Sequence, residues 1–132
     1  MQPFETFHLS AAGEQAFGYA QAIRSGNLLY VSGTLSVDAT FAPLHPGDMP
    51  AQVRQVYDGI RRTLAHFGVG LDAVVKETMY VTDMEAFLGA NGERIAAYAG
   101  HLPNSTAVEV KRLAFAECLV EIEVTANLAN AA

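Results

Sequence analysis

The stretch AVVKETMYVTD, residues 73 to 83, predicts a β-strand, because β-branched and aromatic side chains follow one another up to a polar turn. Before it, apolar residues recur every three or four positions from about residue 50 to 67, which predicts an amphipathic helix with Asp48 in its cap region. After it, Asp83 offers a side-chain oxygen that predicts the start of a second helix, from about 84 to 98. The stretch is therefore a strand between two helices.

Further strands are predicted on both sides of this unit. Residues 27 to 37, NLLYVSGTLSV, form an apolar run that Gly33 interrupts, which indicates a bulge or a close approach of the backbone. Residues 38 to 50 hold three prolines without any period and are predicted as a loop. Residues 106 to 113 and 118 to 126 are both strand-like, and the short segment between them favours an antiparallel hairpin.

The order of elements predicts the fold class. An N-terminal hairpin that includes residues 28 to 36 precedes β, α, β, α, β, β, which favours an α+β domain with a mixed sheet and two helices on one face. We expect residues 1–132 to form a single domain, because the chain is too short for two comfortable ones.

The second face of the sheet is predicted to meet other copies of the chain. Two helices cover only one side of a sheet of five or six strands, and an apolar face that stays uncovered is typical of an interface. The strands also supply more apolar side chains than one layer of helices needs to cover. These residues are Tyr30, Met79, Val108, Val110, Ile122 and Val124. We therefore expect a homo-oligomer.

Composition excludes some classes of partner. The formal net charge is −6, with 8 Lys and Arg against 14 Asp and Glu and no basic cluster, so binding to nucleic acid or to anionic lipid is not expected. The start lacks a signal-peptide pattern and no apolar run approaches the length of a membrane span. The single cysteine, Cys118, excludes an intrachain disulfide and fits a reducing compartment. We expect a cytoplasmic protein.

No metal or cofactor motif is visible in the sequence. The four histidines, His8, His45, His66 and His101, have no ligand-like spacing with one another or with Cys118. Glycine patterns for nucleotides and the G-x-S-x-G pattern of serine hydrolases are also absent. Neither a metal nor a cofactor is predicted.

Asn91 is a polar residue on an otherwise apolar helix stripe with Phe87, Ile95 and Tyr98. One interpretation is a buried amide that fixes a neighbouring loop through backbone hydrogen bonds. The other interpretation is a residue that shapes a binding site.

Glu121 and Glu123 lie on the polar side of the last strand, whereas Cys118 lies on its apolar side. Both carboxylates would ordinarily be solvated, opposite Lys111 or Arg112 of a neighbouring strand. If another subunit covered this face, burial would raise a carboxyl pKa toward values useful for acid and base chemistry.

Read together, five segments in the same order resemble the Rid (YjgF) family, some members of which are called L-PSP endoribonucleases. The segments are GYAQAI at 18–23, LLYVSG at 28–33, MYVTDMEAFLGAN at 79–91, LPNSTAVEVKRL at 102–113 and VEIEVTA at 120–126. The resemblance implies a chorismate-mutase-like α+β fold, a homotrimer and three clefts between subunits. Active members hydrolyse reactive 2-imino or enamino acids to ammonia and a 2-keto acid without a cofactor.

Four site positions of that family hold the expected residue here. The resemblance assigns a catalytic role to Glu121, which positions water, and to Tyr19, and it places Gly33 and Asn91 in the substrate site. At the fifth position, the arginine that grips the substrate carboxylate in the deaminating members is replaced by Ser105. A serine hydroxyl neither neutralises a carboxylate nor forms the two-bonded fork of a guanidinium.

The segment around Ser105 is expected to be a loop that offers hydrogen bonds to a neutral polar ligand. It comprises Asn104, Ser105, Thr106 and Ala107. We expect a hydrolase that deaminates an imine or enamine without the usual carboxylate, or with a carboxylate held by another cation. The alternative is a trimer that binds or senses a small metabolite without catalysis. A ribonuclease is disfavoured by the acidic composition.

Overall fold

The strand that the sequence predicts between two helices, at residues 73 to 83, has a hydrogen-bonded strand on each side. In the computed structural model, which describes residues 4–131, it belongs to a six-stranded sheet. The strands are β1 (Glu5–Phe7), β2 (Ala22–Ser25), β3 (Leu28–Leu35), β4 (Val74–Val81), β5 (Asn104–Glu109) and β6 (Val120–Asn127). The helices are α1 (Ala11–Phe17), α2 (Met49–His66), α3 (Met84–Gly89) and α4 (Asn91–Tyr98), with a short 3₁₀ turn at Leu71–Ala73.

The sheet is mixed, with the order β1-β2-β3-β6-β4-β5. Only the edge pair β4 and β5 is parallel, and the other neighbouring strands are antiparallel. Helix α2 packs against β3 and β6, and α4 packs against α2. The predicted α+β class with a mixed sheet and helices on one face is confirmed.

The predicted hairpin of residues 106–113 and 118–126 is wrong. Strands β5 and β6 lie on opposite sides of β4, so they never pair with each other. The helical connection through α3 and α4 returns the chain parallel to β4, as crossovers of this length do. The following segment then carries the chain across to the space between β3 and β4.

Helix α2 has the predicted start and buried face. The Asp48 carboxylate accepts a hydrogen bond from the Ala51 amide at 3.0 Å, and Pro50 lies in the first turn, where its missing N–H is harmless. The apolar stripe is fully buried at Val53, Val56, Ile60 and Leu64. This helix packs its apolar stripe against the sheet and contributes that stripe to the core.

The second predicted helix is two helices. Helix α3 ends at Gly89, and α4 begins at Asn91, with a break at Ala90. Glycine weakens a helix interior, which accounts for a break beside Gly89. The predicted apolar stripe of Phe87, Ile95 and Tyr98 is not buried as a unit, because Ile95 is 58% exposed. Asn91, on the same predicted stripe, is half-buried.

The face away from the helices is less apolar than expected. Met79, Ile122 and Val124 belong to the core, whereas Tyr30 and Val108 are exposed. The homo-oligomer therefore stays a prediction that rests on fewer residues. None of the helices within residues 4–131 has the length and apolar character that a membrane span needs.

Candidate functional site

A cavity of about 550 Å³ opens beside the irregular middle of β3. The polar side chains that line it include Tyr19, Ser32 and Glu121, and the aromatic side chains that line it are Phe17, Phe41 and Phe115. Its size lies in the range of small-molecule sites. Three of the predicted site residues, Tyr19, Gly33 and Glu121, thus meet within one chain.

Gly33 allows the Glu121 carboxylate to lie against the backbone of β3. The pairing of β3 with β6 shifts register between Val31 and Thr34, so Gly33 sits in a bulge as the sequence predicts. A Cβ atom at Gly33 would lie 2.7 Å from Glu121 Oε2, closer than real Cβ contacts. The glycine is therefore required by the position of this carboxylate.

Glu121 is a half-buried carboxylate without compensation. Within residues 4–131 it accepts no hydrogen bond, whereas the neighbouring Glu123 accepts one from the Tyr80 hydroxyl at 2.5 Å. Burial, and then the negative charge of Glu123, raise the pKa of Glu121. The raised pKa makes this carboxylate a stronger base than an ordinary surface glutamate.

Tyr19 is brought to the cavity by the end of helix α1. Gly18 adopts a left-handed conformation with φ 89° that ends the helix, and the Tyr19 amide donates to the Glu14 carbonyl at 2.9 Å. Burial raises the pKa of the Tyr19 phenol, and the negative charges of Glu14 and Glu121 raise it further. The phenol is therefore a hydrogen-bond donor at neutral pH.

The aromatic side of the cavity was missed by the sequence analysis. Phe17 ends α1, Phe41 lies in the loop after β3, and Phe115 precedes β6. Their rings lie 5.8 to 6.2 Å apart between centroids. Because the three segments are remote in sequence, only the fold brings these rings together.

The remaining predicted site residues lie elsewhere in the chain. Asn91 starts α4. Residues 104–107 lie in strand β5, so the segment that was expected to be a loop is part of a strand. Ser105 aligns with Glu77 on β4, while Glu121 aligns with Tyr80. Two strand spacings and three residues separate Ser105 from Glu121, roughly 14 Å along the sheet.

Ser105 has a cation beside it that the sequence analysis did not identify. Arg94 Nη2 lies 3.1 Å from Ser105 Oγ, and the same guanidinium binds the fully buried Glu77 carboxylate through Nε at 2.9 Å and through Nη2. The Tyr57 hydroxyl donates to the other Glu77 oxygen at 2.7 Å. The positive charge of Arg94 is therefore already compensated.

The alternation of buried and exposed residues in β4 could have identified Glu77 as a buried carboxylate. It shares the buried side of the strand with Met79 and Val81, where an acidic residue needs a partner. The partner, Arg94, follows from no local pattern, because it comes from a helix in the crossover.

Cys118 is a core residue, as its apolar position predicts. It is 1% exposed, and burial raises the pKa of its thiol to about 11. No group of three or more His, Cys, Asp or Glu side chains in residues 4–131 is arranged to bind a metal ion.

A family model, Endoribonuclease L-PSP, matches residues 10–128 of this chain. The chain belongs to the L-PSP (YjgF) family. The match includes the cavity, the bulge at Gly33 and the strand that carries Glu121. The resemblance found in the sequence is thereby confirmed.

Similar proteins agree with this assignment. A RutC family protein of Pyrococcus horikoshii is 39% identical over 109 residues, which cover 82% of this chain and 85% of the relative. The 2-iminobutanoate/2-iminopropanoate deaminase of Escherichia coli is 31% identical over 111 residues, with coverage of 82% and 85%. A crystal structure of a YjgF/YER057c/UK114 family member from Mycobacterium tuberculosis matches with a TM-score of 0.82 at 30% identity, over 95% of this chain and 99% of that one. Relatives of this chain thus include an imine deaminase.

Proposed function

We propose that this protein hydrolyses the C=N bond of imine or enamine metabolites and releases ammonia. The observation that supports this most is Glu121, a half-buried carboxylate with a raised pKa and no hydrogen bond from residues 4–131, which faces a cavity shared with the Tyr19 phenol. Such a carboxylate is suited to take a proton from water and return it to a leaving nitrogen. One relative is named as a deaminase of 2-iminobutanoate and 2-iminopropanoate, which contain the same C=N bond.

The proposed reaction needs only water and the groups of the site. The Glu121 carboxylate takes a proton from water as its oxygen attacks the carbon of a protonated imine, and the C=N π electrons move to nitrogen. The resulting carbinolamine nitrogen receives that proton from Glu121, and the C–N bond breaks as an oxygen lone pair forms the carbonyl group. The Glu121 carboxylate takes the hydroxyl proton and passes it to the departing ammonia, which leaves as ammonium. The Tyr19 phenol donates a hydrogen bond to the reacting oxygen.

We further propose that the complete site lies between subunits of a homotrimer, as the family resemblance implies. In this arrangement Asn91 and the strand segment Asn104–Ala107 of one copy approach the Tyr19, Gly33 and Glu121 cavity of another. This accounts for the roughly 14 Å that separates Ser105 from Glu121 along a single sheet. Size-exclusion chromatography with light scattering tests the trimer, and a monomer at micromolar concentration would contradict it.

The substrate of this site lacks the carboxylate of ordinary 2-imino acids. By the family resemblance, Ser105 occupies the position of the arginine of the deaminating members. The nearby Arg94 is compensated by the buried Glu77. A substrate carboxylate would therefore find hydrogen bonds from Ser105 but no unpaired charge.

The test compares two imines made in place, one from an amino acid by an amino-acid oxidase and one from an amine by an amine oxidase. Trapping with semicarbazide measures how fast each imine disappears. We expect the protein to accelerate decay of the carboxylate-free imine and to act weakly on the imino acid, and Ser105→Arg should raise the second activity. Strong wild-type activity on the imino acid would contradict the assignment to Ser105.

A non-catalytic trimer that binds a small metabolite is the second candidate. It is favoured by the serine at position 105, where the family resemblance implies a carboxylate-gripping arginine in the deaminating members. Turnover separates the two candidates, since a binding protein would retain its ligand and accelerate neither imine.

A further inference from the structure

We propose that the cavity selects an imine that carries an aromatic or bulky apolar substituent and no carboxylate, with that substituent seated against Phe17, Phe41 and Phe115. These three residues are here called the aromatic wall. The inference deepens the proposed function and rests on it, because it takes Glu121 as the group that faces the C=N bond.

The aromatic wall is one surface made by three separate segments. The centroids of the Phe17 and Phe41 rings lie 5.8 Å apart. The Phe115 ring is edge-to-face with both, at centroid distances of 6.2 Å from Phe17 and 6.1 Å from Phe41. These spacings are those of mutually packed aromatic side chains. Phe17 nevertheless remains 63% exposed, so the wall keeps apolar surface available to a ligand.

The position of Phe41 is imposed by its loop. Its backbone has φ 64°, an uncommon left-handed conformation for a bulky residue. The Asp38 carboxylate fixes the turn by accepting hydrogen bonds from the amides of Thr40 and Ala42 at 2.8 and 3.0 Å. The ring then lies so close to α1 that a Cβ atom at Gly13 would be 2.8 Å from it. Loop and helix are thus both shaped to place this ring at the cavity.

The charges around the cavity favour a cationic or neutral head group. Among the carboxylates that line the cavity within residues 4–131, Glu14 and Asp38 are occupied by hydrogen bonds from the chain, whereas Glu121 is not. The lining arginine, Arg62, is paired with Asp58 at 3.0 Å. A protonated imine is attracted to Glu121, and a carboxylate would be repelled by the same groups.

The size of the cavity fits this class of ligand. About 550 Å³ accommodates a ring with a short chain and a nitrogen head group. An aryl-alkyl imine places its ring on the aromatic wall and its C=N bond toward Tyr19 and Glu121. A small aliphatic imine would leave the wall uncovered and would bind more weakly.

Three stable probes test the ligand class by isothermal titration calorimetry at pH 8. They are 2-phenylethylamine, which has both ring and positive charge, 3-phenylpropanoate, which has the ring with a negative charge, and n-butylamine, which has the charge without the ring. We expect the first to bind at least about tenfold more tightly than either of the others. Equal affinities, or no binding of 2-phenylethylamine because a second copy of the chain fills the cavity, would overturn the inference.

Phe17→Ala and Phe4→Ala form a matched pair of variants. Both phenylalanines are highly exposed, at 63% and 64%, so neither change should unfold the protein, but only Phe17 lines the cavity. Phe17→Ala should weaken 2-phenylethylamine binding at least about fivefold, and Phe4→Ala should leave it unchanged. An equal effect of the two changes would mean that the ring of 2-phenylethylamine does not bind at the aromatic wall.

Turnover separates the ligand class from the proposed reaction. The kcat/KM for an aryl-alkyl imine should exceed that for a small aliphatic imine at least about tenfold, and Phe17→Ala should remove the preference. Hydrolysis of both imines at equal kcat/KM would overturn the ligand class while supporting the reaction. Binding of 2-phenylethylamine that depends on Phe17, without hydrolysis of either imine, would support the ligand class while the reaction fails.

Discussion

Two carboxylates of neighbouring strands, one fully buried and one half-buried, have opposite surroundings. Glu77 on β4 is fully buried, and it accepts hydrogen bonds from the Tyr57 hydroxyl and from two nitrogens of Arg94. Glu121 on β6 is half-buried and receives none from residues 4–131, and its raised pKa has burial as the first cause. The comparison indicates that burial alone does not identify a candidate functional carboxylate, because the buried Glu77 has the hydrogen-bonding partners that Glu121 lacks within residues 4–131.

We expect the two carboxylates to have different roles. The compensated Glu77 joins β4 to helices α2 and α4, since its partners Tyr57 and Arg94 come from those helices. The uncompensated Glu121 lies beside the Gly33 bulge and faces a cavity. We therefore expect changes around Glu77 to affect stability and changes around Glu121 to affect activity.

Arg94→Met should have the largest effect, on stability. It would leave the Glu77 carboxylate buried without its cation, and breaking a buried ion pair in this way lowers the free energy of unfolding by about 3–5 kcal/mol. Arg54→Met is the matched control, because Arg54 forms an exposed pair with Glu93 whose loss should change it by about 1 kcal/mol or less. Urea denaturation measures both, and equal losses would mean that the Glu77 pair has no special structural role.

Gly33→Ala should lower imine hydrolysis by about tenfold or more while the fold persists. The new Cβ atom would meet the Glu121 carboxylate at 2.7 Å, so the carboxylate must move away from its place in the cavity. Gly89→Ala is the control, since a Cβ there meets nothing within 4 Å. Steady-state kinetics measures kcat/KM for both variants, and full activity of Gly33→Ala would show that the exact position of Glu121 is unimportant.

Glu123→Gln should shift the pH dependence of activity. The negative charge of Glu123 helps to raise the pKa of Glu121, so its removal lowers that pKa. A general base works when deprotonated, so activity rises with pH through its pKa. The acid limb of kcat/KM should therefore move to lower pH, with an unchanged plateau. A limb that stays in place or moves upward would contradict the coupling.

The effect of Glu121→Gln on stability should be the smallest of these changes, a slight increase in the stability of the fold. Because the pKa of Glu121 is raised in the folded chain, ionisation of this group disfavours folding once the pH exceeds the ordinary glutamate value, and the penalty is complete above the raised pKa. The variant should melt a few degrees above wild type at pH 8, with a smaller difference at pH 4. Scanning calorimetry at both pH values measures it, and a lower Tm at pH 8 would show that Glu121 is stabilised in the fold.

Local patterns predicted much of this fold. The helix at Met49–His66, its Asp48 cap and the strand Val74–Val81 follow from apolar spacing and capping chemistry, which depend on nearby residues. Strand β5 was assigned the wrong partner, because a strand-like pattern does not specify which strand it pairs with, and the pairing is decided by the crossover.

The candidate site was predicted partly from a local pattern and partly from the family resemblance. Gly33 interrupts an apolar strand, which is visible in the sequence alone, whereas the alternation in β6 marks Glu121 and Glu123 equally. The resemblance assigned Glu121 and Tyr19 to the site. The aromatic wall and the contact of Arg94 with Ser105 join distant segments, and no local pattern reports such contacts.

The rate of hydrolysis of a carboxylate-free imine by wild type, Glu121→Gln and Glu123→Gln at pH 8 tests the central claim most directly. If Glu121 is the general base, Glu121→Gln should lose about 100-fold or more in kcat with an intact fold, and Glu123→Gln should retain most of the wild-type rate. Near-wild-type hydrolysis by Glu121→Gln, or equal losses from both changes, would contradict the assignment of the reaction to this carboxylate.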